Sequence, residues 1–363
     1  MGKLKNNSII ILCRKEKAKQ DQSNTYMGLS LALVIFLSST LVIAIAGTKL
    51  TRTADQLADL TGWGEALFGA IFLGGTTSLP GIATSVVAAY NGHPQLAISN
   101  AIGGIAAQTL FLSIADITYK KTNLEHAAAS FTNLMQGILL IGLLAFVLIG
   151  MSGPNITLLN VHPFSFLMII VYIAASMLIS RAKDRPMWSP RITLDTVQDI
   201  PDRRNLENLD LKKVALRFAA LAIIVTGAGY AVAISGIAIS SQTGLSETLV
   251  GALFTAISTS IPELIVSLAA VRQKALTLSV GNIIGGNTFD VLFVAFADMA
   301  YNQGSILHAI SSNQVYVVAL TMMMTSILIL GLLHREKEGI GKIGWESLMI
   351  IIVYLAGNAY LFL

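Results

Sequence analysis

The segment Thr77-Ser78-Leu79-Pro80 returns 182 residues later as Thr259-Ser260-Ile261-Pro262, and this repetition decides the fold. The two copies align without a gap over residues 65–119 and 247–301, where 20 of 55 positions are identical. Both copies are apolar enough to lie in a membrane, yet each carries proline, glycine, hydroxyl and amide or acidic side chains in mid-segment. The pattern indicates an internal structural repeat whose two halves share one architecture.

The composition places the whole chain in a membrane. Of the 363 residues, 54% are hydrophobic and 12% are charged, and the mean hydropathy is +0.70. These values exclude a soluble globular domain and a disordered chain. We predict an all-α polytopic membrane protein with ten transmembrane helices, at about 27–48, 64–90, 95–118, 125–151, 161–181, 213–239, 246–271, 275–300, 312–333 and 343–363.

The distribution of lysine and arginine predicts the orientation of these spans. With the connections numbered along the chain, every odd connection is basic and no even connection contains Lys or Arg. The positive-inside rule therefore places the odd connections in the cytoplasm and both termini outside. The N-terminal tail opposes this assignment, because it is itself basic; the five connections outweigh it here. Its basic residues are Lys3, Lys5, Arg14, Lys15, Lys17 and Lys19.

The topology makes the repeat an inverted one. Five spans separate the start of one copy from the start of the other, so the two copies enter the membrane from opposite sides. We therefore expect two inverted five-helix repeats around a site near the midplane. The predicted division is a basic tail (1–26), a first repeat (27–181), a cytoplasmic linker (182–212) and a second repeat (213–363).

Proline and hydroxyl residues mark the predicted site in both repeats. Pro80 and Pro262 lack an N–H, so each is expected to break its helix and free a backbone carbonyl. Such a break persists in a membrane only where protein, water or an ion satisfies the freed group. The hydroxyls beside the breaks add further oxygen ligands: Thr77, Ser78, Thr259 and Ser260.

Two acids strengthen this interpretation in the second repeat. Glu263 follows Pro262, and Asp290 lies deep in the next predicted span, where an uncompensated carboxylate is costly. Asn287 lies one helical turn before Asp290, while Asn100 and Asn282 recur in the two repeats and are candidates for the ion path. Together these groups form an oxygen cage that suits a hard cation such as Ca²⁺ or Na⁺.

At these residues the chain resembles the sodium/calcium exchanger (calcium:cation antiporter) family. The segments Ser258-Thr259-Ser260-Ile261-Pro262-Glu263 and Gly281-Asn282-Ile283-Ile284-Gly285-Gly286-Asn287 are similar to the two motifs of the family's second repeat. The resemblance implies ten spans, alternating access and antiport of Ca²⁺ against Na⁺. It also implies that Gln108, which aligns with Asp290, is a ligand.

The first repeat departs from the family pattern. Gly81 stands where the resemblance leads one to expect a glutamate, and Ile105 replaces the asparagine that answers Asn287. The site therefore keeps the acids of one half only. A different stoichiometry, or H⁺ in place of Na⁺ as counter-ion, stays open.

The expected function is that of a secondary active antiporter in a cell membrane, with a bacterial inner membrane as the expected location. It is not expected to be an enzyme or to need a cofactor. Its partners would be the transported ions and the lipid bilayer, with no nucleic acid and a monomer as the working expectation. An intramembrane aspartyl hydrolase, and an exchanger homologue acting as a channel, receptor or assembly factor, are the rival interpretations.

Asp116 and Asp298 also recur in the two repeats, near the ends of their predicted helices. An acid at a helix C-terminus opposes the helix dipole, so a reason for the repetition is needed. A role at the exit of the ion path and a plain interfacial network both remain open from the sequence.

Overall fold

A computed structural model describes residues 27–61, 72, 74–119, 121–128, 130–184, 186–193, 196, 210–337, 339 and 343–362. Within these ranges the regular structure is helical, apart from one β-bridge between Leu158 and Val161. The predicted basic tail (1–26), most of the linker and the start of the second predicted span lie outside the described residues.

Five helices and one short turn of helix form the first half. They are α1 (Leu29–Thr61), α2 (Leu79–Tyr90), α3 (Pro94–Thr118), the short α4 (Leu124–Ala128), α5 (Phe131–Ser152) and α6 (Pro163–Asp184). The second half repeats this order. It consists of α7 (Leu211–Thr243), α8 (Glu247–Arg272), α9 (Leu276–Ala300), the short α10 (Ile306–Ala309), α11 (Ser312–His334) and α12 (Trp345–Tyr360).

The repeat extends well beyond the residues that reveal it in the sequence. The helix pairs α1 and α7, α3 and α9, and α6 and α12 each begin at positions separated by the same offset of 182 residues. The first two pairs also end at that offset. The sequence analysis found similarity in one stretch of each half, whereas the structure shows that almost the whole of each half is duplicated.

Among the described residues, eight helices are long and apolar enough to cross a membrane, and α2 is a shorter apolar helix. Their bounds match the predicted spans with two differences. The helix α1 continues to Thr61, well past the predicted end near residue 48. The fourth span begins at Phe131, because residues 124–128 form the separate short helix α4.

The helices that carry the repeated motifs lie in the centre of the molecule. In the most apolar stretch of α3, 78% of the residues are buried, and in the equivalent stretch of α9 72% are buried. The same measure is 28% for α1 and 22% for α6, whose large apolar side chains face outward as lipid-facing helices do. Polar side chains on α3 and α9 are therefore shielded from lipid by the rest of the protein.

Each long first helix packs on the proline motif of the opposite half. A Cβ added to Gly47 of α1 would lie 2.6 Å from Pro262 Cγ, and one added to Gly229 of α7 would lie 2.5 Å from the Pro80 carbonyl oxygen. Gly47 and Gly229 are equivalent positions of the two halves. Small residues allow such close helix contacts in membranes, so the halves are interlocked at two matching points.

The prolines do not break both helices as predicted. The first copy is interrupted by a turn at Ser78, two residues before Pro80, but α8 continues as regular helix through Pro262. Its irregularity is a π-helical segment earlier in the span, at Val250–Thr255. A proline removes one helical hydrogen bond, and the packing of Gly47 against its ring stabilises the continuous helix.

Candidate cation-binding site

The centre of the predicted site joins four polar side chains from the two halves. The Ser78 hydroxyl donates to Asp290 Oδ1, and the mirror-related pair is Gln108 Nε2 donating to Ser260 Oγ at 3.3 Å. Gln108 Nε2 also donates to Asp290 Oδ2 at 2.6 Å, which links the two pairs. All four side chains are buried. The sequence prediction that these residues meet is therefore correct in geometry.

Glu263 completes the group with a second carboxylate. Its side chain is 4% exposed and lies within electrostatic reach of Asp290. No hydrogen-bond partner among the described residues reaches Glu263 Oε2, Gln108 Oε1 or Asn287 Oδ1. Buried oxygens without partners cost free energy unless another group satisfies them. These unpartnered oxygens, one of them on a carboxylate, together with the Asp290 carboxylate, are groups that a dehydrated cation would satisfy.

The first half has no room for the missing acid. A Cβ on Gly81 would lie 2.6 Å from Cε2 of the buried Phe293 ring. The space in which a side chain at position 81 would begin is therefore occupied by an aromatic ring from the opposite half.

A second difference between the two halves lies at Asn287. Asn287 Nδ2 donates to Thr109 Oγ1 at 3.2 Å, whereas the mirror-related positions hold the apolar pair Ile105 and Val291. The second half thus supplies both acids and the extra amide, and the first half supplies a serine and a glutamine. This asymmetry was visible in the sequence, but its spatial consequence was not.

The two threonines of the motif direct their hydroxyl protons to their own helices. Thr77 Oγ1 donates to the Gly74 carbonyl at 3.0 Å, and Thr259 Oγ1 donates to the Thr255 carbonyl at 2.9 Å. Their lone pairs remain available, but the hydrogen bonds also suit a purely local role. Ligation by Thr77 and Thr259 stays a prediction.

Asn100 lies in a closed hydrogen-bonded cluster. Its Nδ2 donates to Ser85 Oγ at 2.9 Å and to the Gly81 carbonyl at 3.2 Å, and its Oδ1 accepts from Thr255 Oγ1 at 2.7 Å. Ser85 in turn donates to the Ala97 carbonyl at 3.0 Å. All polar atoms of the Asn100 side chain are satisfied, and the residue is 1% exposed. This side of the site is sealed.

Asn282, at the mirror-related position, lines an open space. A cavity of about 230 Å³ runs from the exposed Arg52, Asp55 and Gln273 to Thr77 and Asn282. The Asn282 Nδ2 atom has no hydrogen-bond partner among the described residues. Arg52 and Gln273 belong to the connections that the charge distribution predicts to be cytoplasmic. One face of the molecule therefore has a passage toward the site, whereas the mirror-related Asn100 is buried within its hydrogen-bonded cluster.

The ligand set selects the type of ion. Among the described residues no group of three or more His, Cys, Asp or Glu side chains is arranged to hold a metal ion. The site instead combines two carboxylates with amide and hydroxyl oxygens, which are ligands for hard cations and poor ligands for zinc or copper.

Asp116 and Asp298 have a structural role that the sequence left open. Asp298 accepts hydrogen bonds from the backbone N–H groups of Ile306 and His162, each at 2.7 Å, and from Ser165 Oγ at 2.6 Å. Asp116 accepts from Leu124 and Gly344 in the mirror-related pattern, at 2.7 and 3.1 Å. Each acid therefore holds a short helix and the start of a span together, which fits the interfacial network rather than an ion exit.

Comparison with known proteins agrees with this architecture. The family model described as "Sodium/calcium exchanger protein" matches residues 31–185 and 212–363. CaxA of Alkalimonas amylolytica, an antiporter by name, is 26% identical over 340 residues, which cover 91% of this chain and 98% of that protein. The sodium/calcium exchanger MaX1 of Methanosarcina acetivorans is 28% identical over 141 residues, or 39% of this chain and 38% of MaX1.

Solved structures of exchangers share the fold. A structure of the sodium-calcium exchanger NCX_Mj aligns over 92% of this chain and 99% of its own, with a TM-score of 0.56 and 19% identity. The H⁺/Ca²⁺ exchanger CAX aligns over 95% of this chain and 88% of its own, with a TM-score of 0.61 and 16% identity. With its ten-helix inverted repeat and a family model that matches both halves, the chain belongs to the sodium/calcium exchanger family of membrane cation antiporters.

Proposed function

We propose that this protein exchanges Ca²⁺, or a similar hard cation, for Na⁺ through the site between Glu263 and Asp290. The observation that carries the proposal is the set of buried, unpartnered oxygens beside two carboxylates: Gln108 Oε1, Glu263 Oε2 and Asn287 Oδ1. Two carboxylates balance one Ca²⁺ or two Na⁺, so either load leaves the site neutral.

Neutrality provides the coupling between the two fluxes. Alternating access requires an occluded state in which the site is closed to both faces and its dielectric constant is low. Glu263 and Asp290 without a counter-charge would make that state costly, because two buried like charges repel and are desolvated. Only a loaded site would then cross, and no chemical reaction is needed.

The passages on the two faces support the same cycle. The cavity ending at Asn282 would admit ions from one side, while the Asn100 cluster closes the other. If the open passage closed and the closed side opened, the site would become accessible from the other compartment. The duplicated contacts Gly47–Pro262 and Gly229–Pro80 would carry the movement of the long helices across the core.

A H⁺-coupled exchanger is the second candidate, and Gly81 favours it. Without a third acid the site has less negative charge with which to hold several Na⁺ ions. A buried glutamate such as Glu263, with an unpartnered oxygen, is a group that exchanges a proton readily. The solved H⁺/Ca²⁺ exchanger CAX has the same fold.

One experiment separates these candidates. Proteoliposomes containing the protein are loaded with Ca²⁺, and efflux is measured under an inward Na⁺ gradient or an inward H⁺ gradient of equal size. Efflux driven by Na⁺ alone supports the main proposal, and efflux driven by H⁺ alone supports the second. Loss of Ca²⁺ that is insensitive to both gradients would mean a channel-like homologue, and no loss would contradict cation transport.

The remaining assignments follow from the same proposal. We expect the protein in a cell membrane, as in the inner membrane of a bacterium, with both termini outside. It needs no cofactor and no nucleic acid, and one chain contains both halves of the site. Its partners are the transported ions and lipid.

A further inference from the structure

The duplicated Asp116 and Asp298 networks differ at two positions. In the Asp298 network, Leu307 and Phe164 are apolar and both lie against Gly150 of α5. The mirror-related positions in the Asp116 network hold Glu125 of α4 and Glu346 of α12. The surrounding frame is otherwise the same: His126 contacts the Arg335 carbonyl at 2.6 Å, and His308 contacts the Gly153 carbonyl at 3.0 Å. The place of an apolar contact on one face of the molecule is thus taken by a pair of carboxyl groups on the other face.

The two carboxyl groups are buried and face each other. Glu125 is 1% exposed and Glu346 is fully buried, and the two carboxyl groups lie within electrostatic reach of each other. No hydrogen-bond donor among the described residues reaches Glu125 Oε2 or either oxygen of Glu346. The one weak donor to the pair is Ser347 Oγ, 3.4 Å from Glu125 Oε1.

No cation neutralises this pair within the described part of the chain. The one ion pair found there joins His93 to Glu247, on a different pair of helices. Arg335 is close, but its guanidinium donates to the carbonyls of Arg191 and His126 and to Thr196 Oγ1. The other titratable groups facing the pair add negative charge, namely Asp116 from α3 and Glu336 from the connection before α12.

A proton is the ligand that fits this geometry. Two facing carboxylates cannot both ionise in a buried site, because desolvation and mutual repulsion together cost several kcal/mol. The acids are not arranged for a metal ion, and the backbone at Gly331 and Gly344 closes around the Glu346 side chain. One shared proton removes the repulsion and satisfies two of the unpartnered oxygens.

The pair is also connected to the transport site through packing. Leu124, Ala127 and Ala128 of α4 belong to the same apolar cluster as Leu276, Val280 and Ile283 at the start of α9. The helix α9 carries Asn282 in the open passage and Asp290 in the site. The first fourteen residues of α9 include no titratable group. The titratable groups that act on this end of α9 are therefore the Glu125–Glu346 pair and the groups named above.

We propose that Glu125 and Glu346 form a proton-binding site outside the ion path, and that release of its proton loosens the packing of α4 beneath α9. The site makes exchange dependent on the pH of the face that carries the open passage. Burial raises the pKa of Glu125, which lies outside the membrane-spanning helices, and the charges of Asp116 and Glu346 raise it further. The native state therefore binds more protons than the unfolded chain above the usual glutamate pKa. Stability contributed by the pair falls as the pH rises toward the raised value.

The first test does not depend on transport. Thermal unfolding of the purified protein in detergent is followed at pH values from about 5 to 9, a range that spans the usual and the raised glutamate pKa. The wild type is compared with Glu125→Leu/Glu346→Phe, which copies the mirror-related pair, and with the isosteric Glu125→Gln/Glu346→Gln. Glu336→Gln removes a neighbouring acid and serves as the matched control.

We expect the melting temperature of the wild type and of Glu336→Gln to fall with rising pH, by roughly 2–4 °C more than that of either double variant. Infrared spectra of the wild type should show a stronger carbonyl band from protonated carboxylic acid than the spectra of either double variant. Equal pH dependence in all four proteins, or an unchanged carboxylic acid band, would overturn the proposal whether or not the protein transports Ca²⁺.

The second test concerns transport and rests on the proposed function. If the proteoliposomes exchange Ca²⁺, raising the pH on the side of the open passage should slow wild-type exchange several-fold more than exchange by Glu125→Gln/Glu346→Gln. The same slowing in both proteins would contradict control of exchange by this site, while leaving the cation site itself intact.

Discussion

Asn100 and Asn282 hold equivalent positions in the two halves, but their surroundings are opposite. Asn100 is closed in by hydrogen bonds with Ser85, Gly81 and Thr255, and Asn282 lines a cavity of about 230 Å³. Part of this difference arises from the sequence, because the position equivalent to Thr255 is Leu73, which has no hydroxyl to donate. A difference in access between the two faces is also what the proposed alternating-access cycle requires.

The halves differ in charge as well as in access. The half that supplies Glu263 and Asp290 also supplies Asn282 in the open passage, and its Phe293 ring lies against Gly81, where the other half lacks an acid. The predictions below test whether these differences are the basis of transport.

Loss of one acid should have the largest effect. Glu263→Gln removes a charged ligand from a desolvated site, where breaking a buried charge pair costs about 3–5 kcal/mol. We expect Ca²⁺ exchange in proteoliposomes to fall by about 100-fold or more. Glu247→Gln, at the first turn of the same helix α8, is the matched control and should retain exchange. Wild-type flux in Glu263→Gln would remove this residue from the site.

Restoring the missing acid should require space for it. Gly81→Glu alone forces a side chain against Phe293, and such overpacking costs about 1–3 kcal/mol. We expect a lower melting temperature for this variant and a recovery in Gly81→Glu/Phe293→Ala. The double variant should also carry more Na⁺ or H⁺ per Ca²⁺, measured as the charge moved per ion. An unchanged coupling ratio in a stable double variant would mean that the first half does not contribute charge to transport.

Chemical labelling should distinguish the two passages directly. In a Cys13→Ser background the chain has no other cysteine, so Asn282→Cys and Asn100→Cys each present one thiol. We expect Asn282→Cys to react with a membrane-impermeant maleimide at least roughly ten-fold faster, since thiol reactivity depends on access. Reaction should occur from the predicted cytoplasmic face. Equal rates would show that the sealed and open passages interconvert freely without ions.

Weakening the hydrogen-bonded Asn100 cluster should change how often each of the two passages is open. Thr255→Val removes the donor to Asn100 Oδ1 and leaves a buried acceptor unsatisfied, at a cost of about 1–3 kcal/mol. More molecules should then open on the Asn100 side, so labelling of Asn282→Cys should slow by a few-fold. Thr325→Val, which loses only a bond to its own helix, is the control. Slower labelling in both variants would indicate a general loss of stability.

The sequence predicts the central features of this molecule because each depends on residues that recur in both repeats or that are energetically costly in a membrane. Acids at depth, recurring prolines and the alternation of basic connections point to the spans, the inversion and the meeting of Ser78 with Asp290. The expected break at Pro262 is absent, because the helix tolerates one lost hydrogen bond when Gly47 packs on the ring.

Other features depend on contacts between distant parts of the chain, which the sequence of one segment does not reveal. Phe293 fills the place of the missing acid from the opposite half, and Thr255 closes the Asn100 cluster from another helix. The Glu125–Glu346 pair joins residues far apart in the chain and has no counterpart in the mirror-related network. Applying the 182-residue offset beyond residue 119 aligns Glu125 with Leu307 and Glu346 with Phe164, since α4 and α10, and α6 and α12, begin at that offset.

The crossing of each long first helix onto the other half has a consequence for the folding of the chain. Gly229 lies against Pro80 and Gly47 lies against Pro262, so each proline is contacted by the first helix of the opposite half. A single half expressed alone would lack this contact at its own proline, and only a chain with both halves in opposite orientations supplies it.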